Sequence, residues 1–78
     1  MNRKIKLIWD FRGPEAKEIA AHHVVHLQEF AEQEQLSFHG TATEPVSDYY
    51  CMASITIDEQ DLITYRDALR PHRGEAAD

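Results

Sequence analysis

The chain has 78 residues, of which 42 % are hydrophobic, and it carries a formal net charge of −6 at pH 7. Its length is that of one domain, and its acidic balance argues against a nucleic-acid partner, because nucleic-acid binders present excess positive charge. The single cysteine, Cys51, excludes an intrachain disulfide and a cysteine-based metal site. No apolar run reaches the roughly 20 residues of a membrane span, and no signal-peptide pattern opens the chain, so we expect a cytoplasmic protein without membrane partners.

The first two predicted elements are a strand over residues 4–11 and a helix over residues 14–35. Apolar and polar residues alternate along the strand, which is typical of a strand with one buried face. The residues of that apolar face are Ile5, Leu7, Trp9 and Phe11. Gly13 and Pro14 then suit a helix start, and apolar residues recur after them at helical spacing.

A hairpin and a second helix follow in the remaining sequence. Alternating patterns predict strands over residues 36–43 and 49–57, joined by a short turn over residues 44–47. Asp58 can cap the second helix, which should end at Arg70 because the next residue is a proline.

The order of these elements, β-α-β-β-α, predicts an α+β fold with a three-stranded antiparallel sheet and two helices on one face. We expect the third strand to lie between the first two, whose crossover should be right-handed. This arrangement resembles a ferredoxin-like domain that lacks its last strand. Strand one would then be an open edge of the sheet. Residues 1–70 would form the single domain, and residues 71–78 a flexible C-terminal tail.

Three of the five histidines, His22, His23 and His26, lie close together on the first helix. His23 falls within the apolar stripe, where it is either a packed, hydrogen-bonded residue or an acid–base group in a pocket between helix and sheet. Burial without a charged partner should lower its pKa. His22 and His26 are one turn apart, which can seat two metal ligands, but no third ligand is apparent and a polar pair of His26 with Glu29 is the simpler interpretation.

Positive charge is expected to gather where the first helix begins. In the predicted topology, the end of strand one, the start of the first helix and the end of the second helix meet at one edge of the sheet. The residues brought there are Arg12, Gly13, Arg70, His72 and Arg73. Together with the free N–H groups of the first helical turn they would suit an anion. Alternatively, Arg70 and Arg73 interact with the dipole of the second helix, and Arg12 pairs with a nearby carboxylate.

A second candidate surface lies on the sheet face that no predicted helix covers. Ile8, Tyr50 and Met52 should form an apolar patch there, and such patches mark partner surfaces. We therefore expect a homodimer, formed either by stacking of this face or by pairing of the open edges of strand one.

These features favour a non-enzymatic module that dimerises and binds a protein or a small anionic ligand, without a cofactor. Two alternatives stay open. One is a small enzyme in which His23 or His26 is the acid or base, while Arg12 and Arg70 bind an acidic substrate. The other is metal binding by His22 and His26 across a dimer.

Overall fold

The computed structural model describes residues 3–77, which form four strands and two α-helices. In chain order the elements are β1 (Lys4–Arg12), α1 (Ala16–Gln33), β2 (Gly40–Ser47), β3 (Tyr50–Asp58), a short 3-10 turn (Glu59–Asp61), α2 (Leu62–Leu69) and β4 (Arg73–Ala76). The predicted domain and tail boundaries at residues 1 and 78 lie outside the described residues. No helix in this part of the chain is long and apolar enough to cross a membrane.

The strands form one antiparallel sheet with the order β2-β3-β1-β4. The α+β prediction is therefore confirmed, whereas the prediction of three strands is wrong. The segment predicted as a flexible tail contains β4, which pairs with residues 5–8 of β1. Strand one is consequently not an open edge, and the element order is the complete β-α-β-β-α-β of ferredoxin-like domains. Strand β4 has the sequence Arg-Gly-Glu-Ala, which lacks apolar alternation, so no sequence pattern predicts it. It forms because the backbone N–H and C=O groups on this edge of β1 would otherwise lack hydrogen-bond partners.

Helix α1 is two residues shorter at each end than predicted. At its start, Gly13 has a φ of +125°, a conformation that favours glycine, and regular helix begins only at Ala16. At its end, Gln35 is left-handed with a φ of 57°, and the Leu36 N–H donates to the Ala31 carbonyl at 2.8 Å. This Schellman arrangement closes the helix and turns Leu36 onto the core.

Strand β2 lies later in the sequence than predicted, and the predicted turn over residues 44–47 belongs to it. Its register with β3 places Thr41 opposite Ile55, on the face that the helices cover. The prediction failed because Leu36 reaches the core from the loop after α1, so its apolar character does not indicate a strand.

The core lies between the two helices and one face of the sheet. Its fully buried members are Leu7, Trp9, Leu27, Ala31, Ile55, Ile57 and Tyr65. Beside them is a seam of small buried residues, which lets α1 approach β3 closely. The seam consists of Ala16, Ala20, Cys51 and Ala53. Trp9 Nε1 donates to the Leu69 carbonyl at 3.0 Å and thereby ties β1 to the end of α2.

Candidate functional site

The candidate site lies on the sheet face opposite the helices, here called the open face. Residues paired across antiparallel strands point to the same face of a sheet. Asp10 pairs with Met52, Arg12 with Tyr50, and Ile8 with Arg73. The register therefore gathers these side chains near the end of β1, although they come from three strands that are distant in sequence.

Asp10 is the centre of a group in which it is hydrogen-bonded to Tyr50, His72 and Arg73. Together with Arg12, which contacts the Tyr50 ring, these residues are called the Asp10 cluster. The Tyr50 hydroxyl donates to Asp10 Oδ1 at 2.5 Å, and Arg73 Nη2 donates to the same oxygen at 3.2 Å. On the edge of β1, the Asp10 backbone N–H donates to His72 Nδ1 at 2.8 Å. The Asp10 carboxylate thus orients Tyr50 and Arg73, while the Asp10 backbone N–H is hydrogen-bonded to His72.

The electrostatics of the cluster keep Tyr50 in its protonated form. The hydrogen bond to Asp10 is the main cause of a raised Tyr50 pKa, with smaller contributions from burial and from the negative charge of Asp10. The positive charges of Arg73 and Arg12 oppose this rise. Tyr50 is accordingly a hydrogen-bond donor at neutral pH and has no tendency to act as a phenolate base.

Arg12 supplies the least compensated charge of the cluster. Its guanidinium carbon lies 4.0 Å from the centroid of the Tyr50 ring, a cation–π arrangement that contributes about 0.5–1 kcal/mol at an exposed site. Within residues 3–77, no carboxylate oxygen lies within 4.0 Å of the Arg12 guanidinium. The ring therefore orients the guanidinium group without neutralising it.

The three predicted interface residues do lie on the open face, but they do not form an exposed apolar patch. Ile8 is only 2 % exposed, and Tyr50 and Met52 are half-buried. Arg73 Nη2 lies 2.9 Å from the Met52 sulfur, so the Arg73 side chain crosses the face diagonally from β4 towards β3. This polar cover accounts for the burial of Ile8, the register partner of Arg73 on the neighbouring strand.

The structure divides the predicted anion site into two parts. Arg12 and Arg73 meet at Tyr50, since Arg73 Nη2 lies 3.5 Å from the hydroxyl and Arg12 lies over the ring. Gly13 has a different role, because its N–H donates to the Tyr49 carbonyl at 2.8 Å and closes the end of the β1–β3 pair. Arg70 is the left-handed residue after α2, with a φ of 48°, and within residues 3–77 no hydrogen bond joins its side chain to the cluster.

His23 occupies the other side of the sheet, between α1 and β1. Its ring centroid lies 4.8 Å from that of Trp9 and 5.3 Å from that of Phe11. His23 Nε2 is buried and has no hydrogen-bond partner among the described residues. Burial lowers the His23 pKa, and the nearby His26 and His72 lower it further. Because Phe11 and Arg12 are adjacent on a strand and point to opposite faces, His23 and Arg12 do not share a pocket.

His22 and His26 lie together on the outer flank of α1, as their spacing predicts. Their ring centroids are 4.4 Å apart, and His26 Nδ1 lies 3.5 Å from a Glu29 carboxylate oxygen. They border a shallow groove of about 280 Å³. Its lining residues are Glu15, Glu18, Ile19, His22, His23 and His26. No group of three or more histidine, cysteine or acidic side chains within residues 3–77 is arranged to hold a metal ion.

The sequence interpretation missed the Asp10 cluster because its members are far apart in the chain. Asp10 is 40 positions from Tyr50 and 63 from Arg73. One signal was present: Asp10 and Tyr50 both fall on the polar side of their alternating strands. The predicted neighbourhood of strands one and three placed them on one face, and the predicted topology brought Arg73 and His72 to the same edge. The hydrogen bonds of Arg73 and His72 to Asp10 depend on the pairing of the fourth strand with β1.

Comparison with known proteins finds no matching family model, no matching curated protein and no matching solved structure. The fold itself hosts many unrelated activities. Function therefore has to be argued from the chemistry of the Asp10 cluster and its surroundings.

Proposed function

We propose that this protein is a non-enzymatic binding module that holds a small anionic group, such as a phosphate, on the open face. The observation that carries the proposal is the guanidinium of Arg12, which lies on the Tyr50 ring without a carboxylate partner within residues 3–77. Arg73 Nη2 lies 3.5 Å from the hydroxyl of the same tyrosine. Two guanidinium groups beside one tyrosine side chain can bind an oxyanion.

Asp10 has two opposing effects on such a ligand. Its carboxylate holds Arg73 and the Tyr50 hydroxyl in fixed positions, which lowers the entropy lost on binding. Its negative charge also weakens the attraction for an anion. One carboxylate among two arginines leaves the cluster positive, so we expect binding that is weak and strongly dependent on ionic strength.

The enzymatic alternative receives less support than the binding module. That alternative requires His23 or His26 to lie with Arg12 and Arg70 around one substrate. His23 packs against Phe11 on the helix side, while Arg12 points to the open face. Association of two copies remains part of the proposal, either by stacking of the open face or through a sheet edge other than strand one, which β4 covers.

The test is a titration of the ¹⁵N-labelled protein with inorganic phosphate at low ionic strength, followed by amide chemical shifts. We expect saturable changes around Arg12, Tyr50 and Arg73, with a dissociation constant on the order of 1 mM. Because a hydrogen bond to a charged group contributes about 1.5–3 kcal/mol, Arg12→Gln should weaken binding about tenfold or more. Arg70→Gln removes the same charge outside the cluster and should leave the affinity unchanged. Equal weakening in both variants, or shifts that never saturate, would refute the proposal.

A further inference from the structure

One oxygen of the Asp10 carboxylate receives no hydrogen bond from any residue in the range 3–77. Tyr50 and Arg73 both donate to Oδ1. His72 Nδ1 lies 3.9 Å from Oδ2, which is too far for a hydrogen bond, and its lone pair already accepts the Asp10 backbone N–H. The Asp10 side chain is 21 % exposed, so this carboxylate is open to a ligand that can donate to Oδ2.

An unpaired cation lies on the same face of the sheet as this oxygen. Arg12 follows Asp10 by two positions on β1, so both side chains point to the open face from bases about 6.5–7 Å apart. The Arg12 guanidinium lies over the Tyr50 ring, whereas the Asp10 carboxylate lies at the Tyr50 hydroxyl. The ion pairs of Asp10 among the described residues are with His72 and Arg73, and none is with Arg12. Tyr50 therefore holds two opposite charges near each other but apart.

We propose that the ligand of the Asp10 cluster is a small zwitterion of the α-amino-acid type, an inference that rests on the anion site proposed above. The ligand carboxylate accepts hydrogen bonds from the Arg12 guanidinium, and the ligand ammonium donates to Asp10 Oδ2. In an α-amino acid a single carbon separates these two groups, so one small molecule can contact both side chains.

A zwitterionic ligand also accounts for a negative charge inside an anion site. The Asp10 carboxylate repels phosphate, but it attracts an ammonium group. Tyr50 and Arg73 hold this carboxylate in place through Oδ1, which lowers the entropy lost when a ligand binds at Oδ2. A simple anion or a simple cation leaves one of the two charged groups without a partner.

The test compares three small probes, glycine, acetate and methylammonium, in amide chemical-shift titrations of the ¹⁵N-labelled protein at pH 7 and low ionic strength. Glycine carries both charges, whereas acetate and methylammonium carry one each. Because each charged hydrogen bond contributes separately, glycine should bind at least tenfold more tightly than either of the other probes. The saturable shifts should centre on Asp10, Arg12 and Tyr50.

The variant Asp10→Asn separates the ammonium contact from the anion contact. Asparagine keeps an oxygen acceptor for Tyr50 and Arg73, but it places an amide NH₂ group where Oδ2 lies in the wild type. This variant should bind glycine no more tightly than acetate, while its affinity for phosphate should rise because a repulsive charge is lost. Asp67→Asn removes the same charge from an exposed position on α2 and should leave the preference for glycine unchanged.

Failure of this inference and failure of the anion site give different results. Phosphate binding that depends on Arg12, together with glycine binding no tighter than that of acetate, would overturn the zwitterion and leave the anion site in place. A preference for glycine that survives Asp10→Asn would also overturn the zwitterion. A protein that binds neither phosphate nor acetate would refute the anion site itself.

Discussion

Replacing His23 with phenylalanine should stabilise the protein, and the gain should grow as the pH falls. In the wild-type protein, His23 lies between the rings of Trp9 and Phe11, and its Nε2 atom is buried without a hydrogen-bond partner. The phenylalanine ring of His23→Phe keeps the aromatic contacts, which prefer tilted and edge-on geometries. The substitution also removes the buried Nε2 atom, which in the folded protein has exchanged its hydrogen bonds to water for none.

The magnitude at neutral and alkaline pH follows from that buried atom. An unsatisfied buried polar group costs about 1–3 kcal/mol. The His23 side chain is only half-buried, so the lower end applies, and His23→Phe should raise the free energy of unfolding by about 1 kcal/mol. For a domain of this size, that gain corresponds to a rise in Tm of about 4–8 °C.

The pH dependence follows from the lowered pKa of His23. In the unfolded chain this histidine titrates near its usual value of 6.5, whereas in the folded protein burial shifts its pKa below 6.5. Between the two values the unfolded state binds more protons, so wild-type stability falls as pH drops through 6.5 and towards the folded pKa. Above 6.5 this contribution vanishes. His23→Phe lacks the titrating group, and its advantage over wild type should therefore widen at acid pH.

The assay is urea denaturation of wild type and variant at pH 8 and pH 5, followed by tryptophan fluorescence. His22→Gln is the matched control, because it removes an exposed imidazole from the same helix and should change stability little. The difference in the free energy of unfolding between wild type and variant is compared at the two pH values, because the contributions of the remaining histidines cancel in that difference. An equal stability difference at both pH values, or a variant no more stable than wild type at pH 8, would contradict the assignment of His23 as an unpaired, neutral imidazole.

Three further outcomes are expected. Leu27→Ala should cost about 2–5 kcal/mol in urea denaturation because Leu27 is fully buried, whereas Val25→Ala, at a side chain 51 % exposed, should cost much less. Burial is the main cause that raises the pKa of Tyr65 to about 12, so wild-type stability should decline as pH rises from 10 towards 12, and Tyr65→Phe should show a smaller decline, which leaves the part due to the raised pKa of Tyr50. Asp10→Asn should lower the pKa of Tyr50 towards its usual value, measured by NMR of the tyrosine ring, because the main cause of the raised pKa is removed; an unchanged Tyr50 titration would contradict the Asp10–Tyr50 hydrogen bond.

The anion site illustrates how far sequence reasoning reaches. Topology alone predicted that Arg12 and Arg73 arrive at one end of the sheet, and the structure places both at Tyr50. The same reasoning included Gly13 and Arg70. The Gly13 N–H donates to the Tyr49 carbonyl, and Arg70 is the left-handed residue that ends α2. Proximity at one end of a fold is inferred from element order, but the face on which a side chain lies depends on strand register.

The sequence by itself determined the α+β class, the strands β1 and β3, and the helix α1. In each of these elements the apolar residues recur with the period of the strand or helix, which places them on one face that can be buried. Tertiary structure alone decided the fourth strand and the Asp10 cluster. Strand β4 has four residues without an apolar pattern, and it exists because β1 offers unpaired backbone groups beside it. The cluster then forms because that pairing carries Arg73 across the sheet to Asp10, a residue 63 positions away.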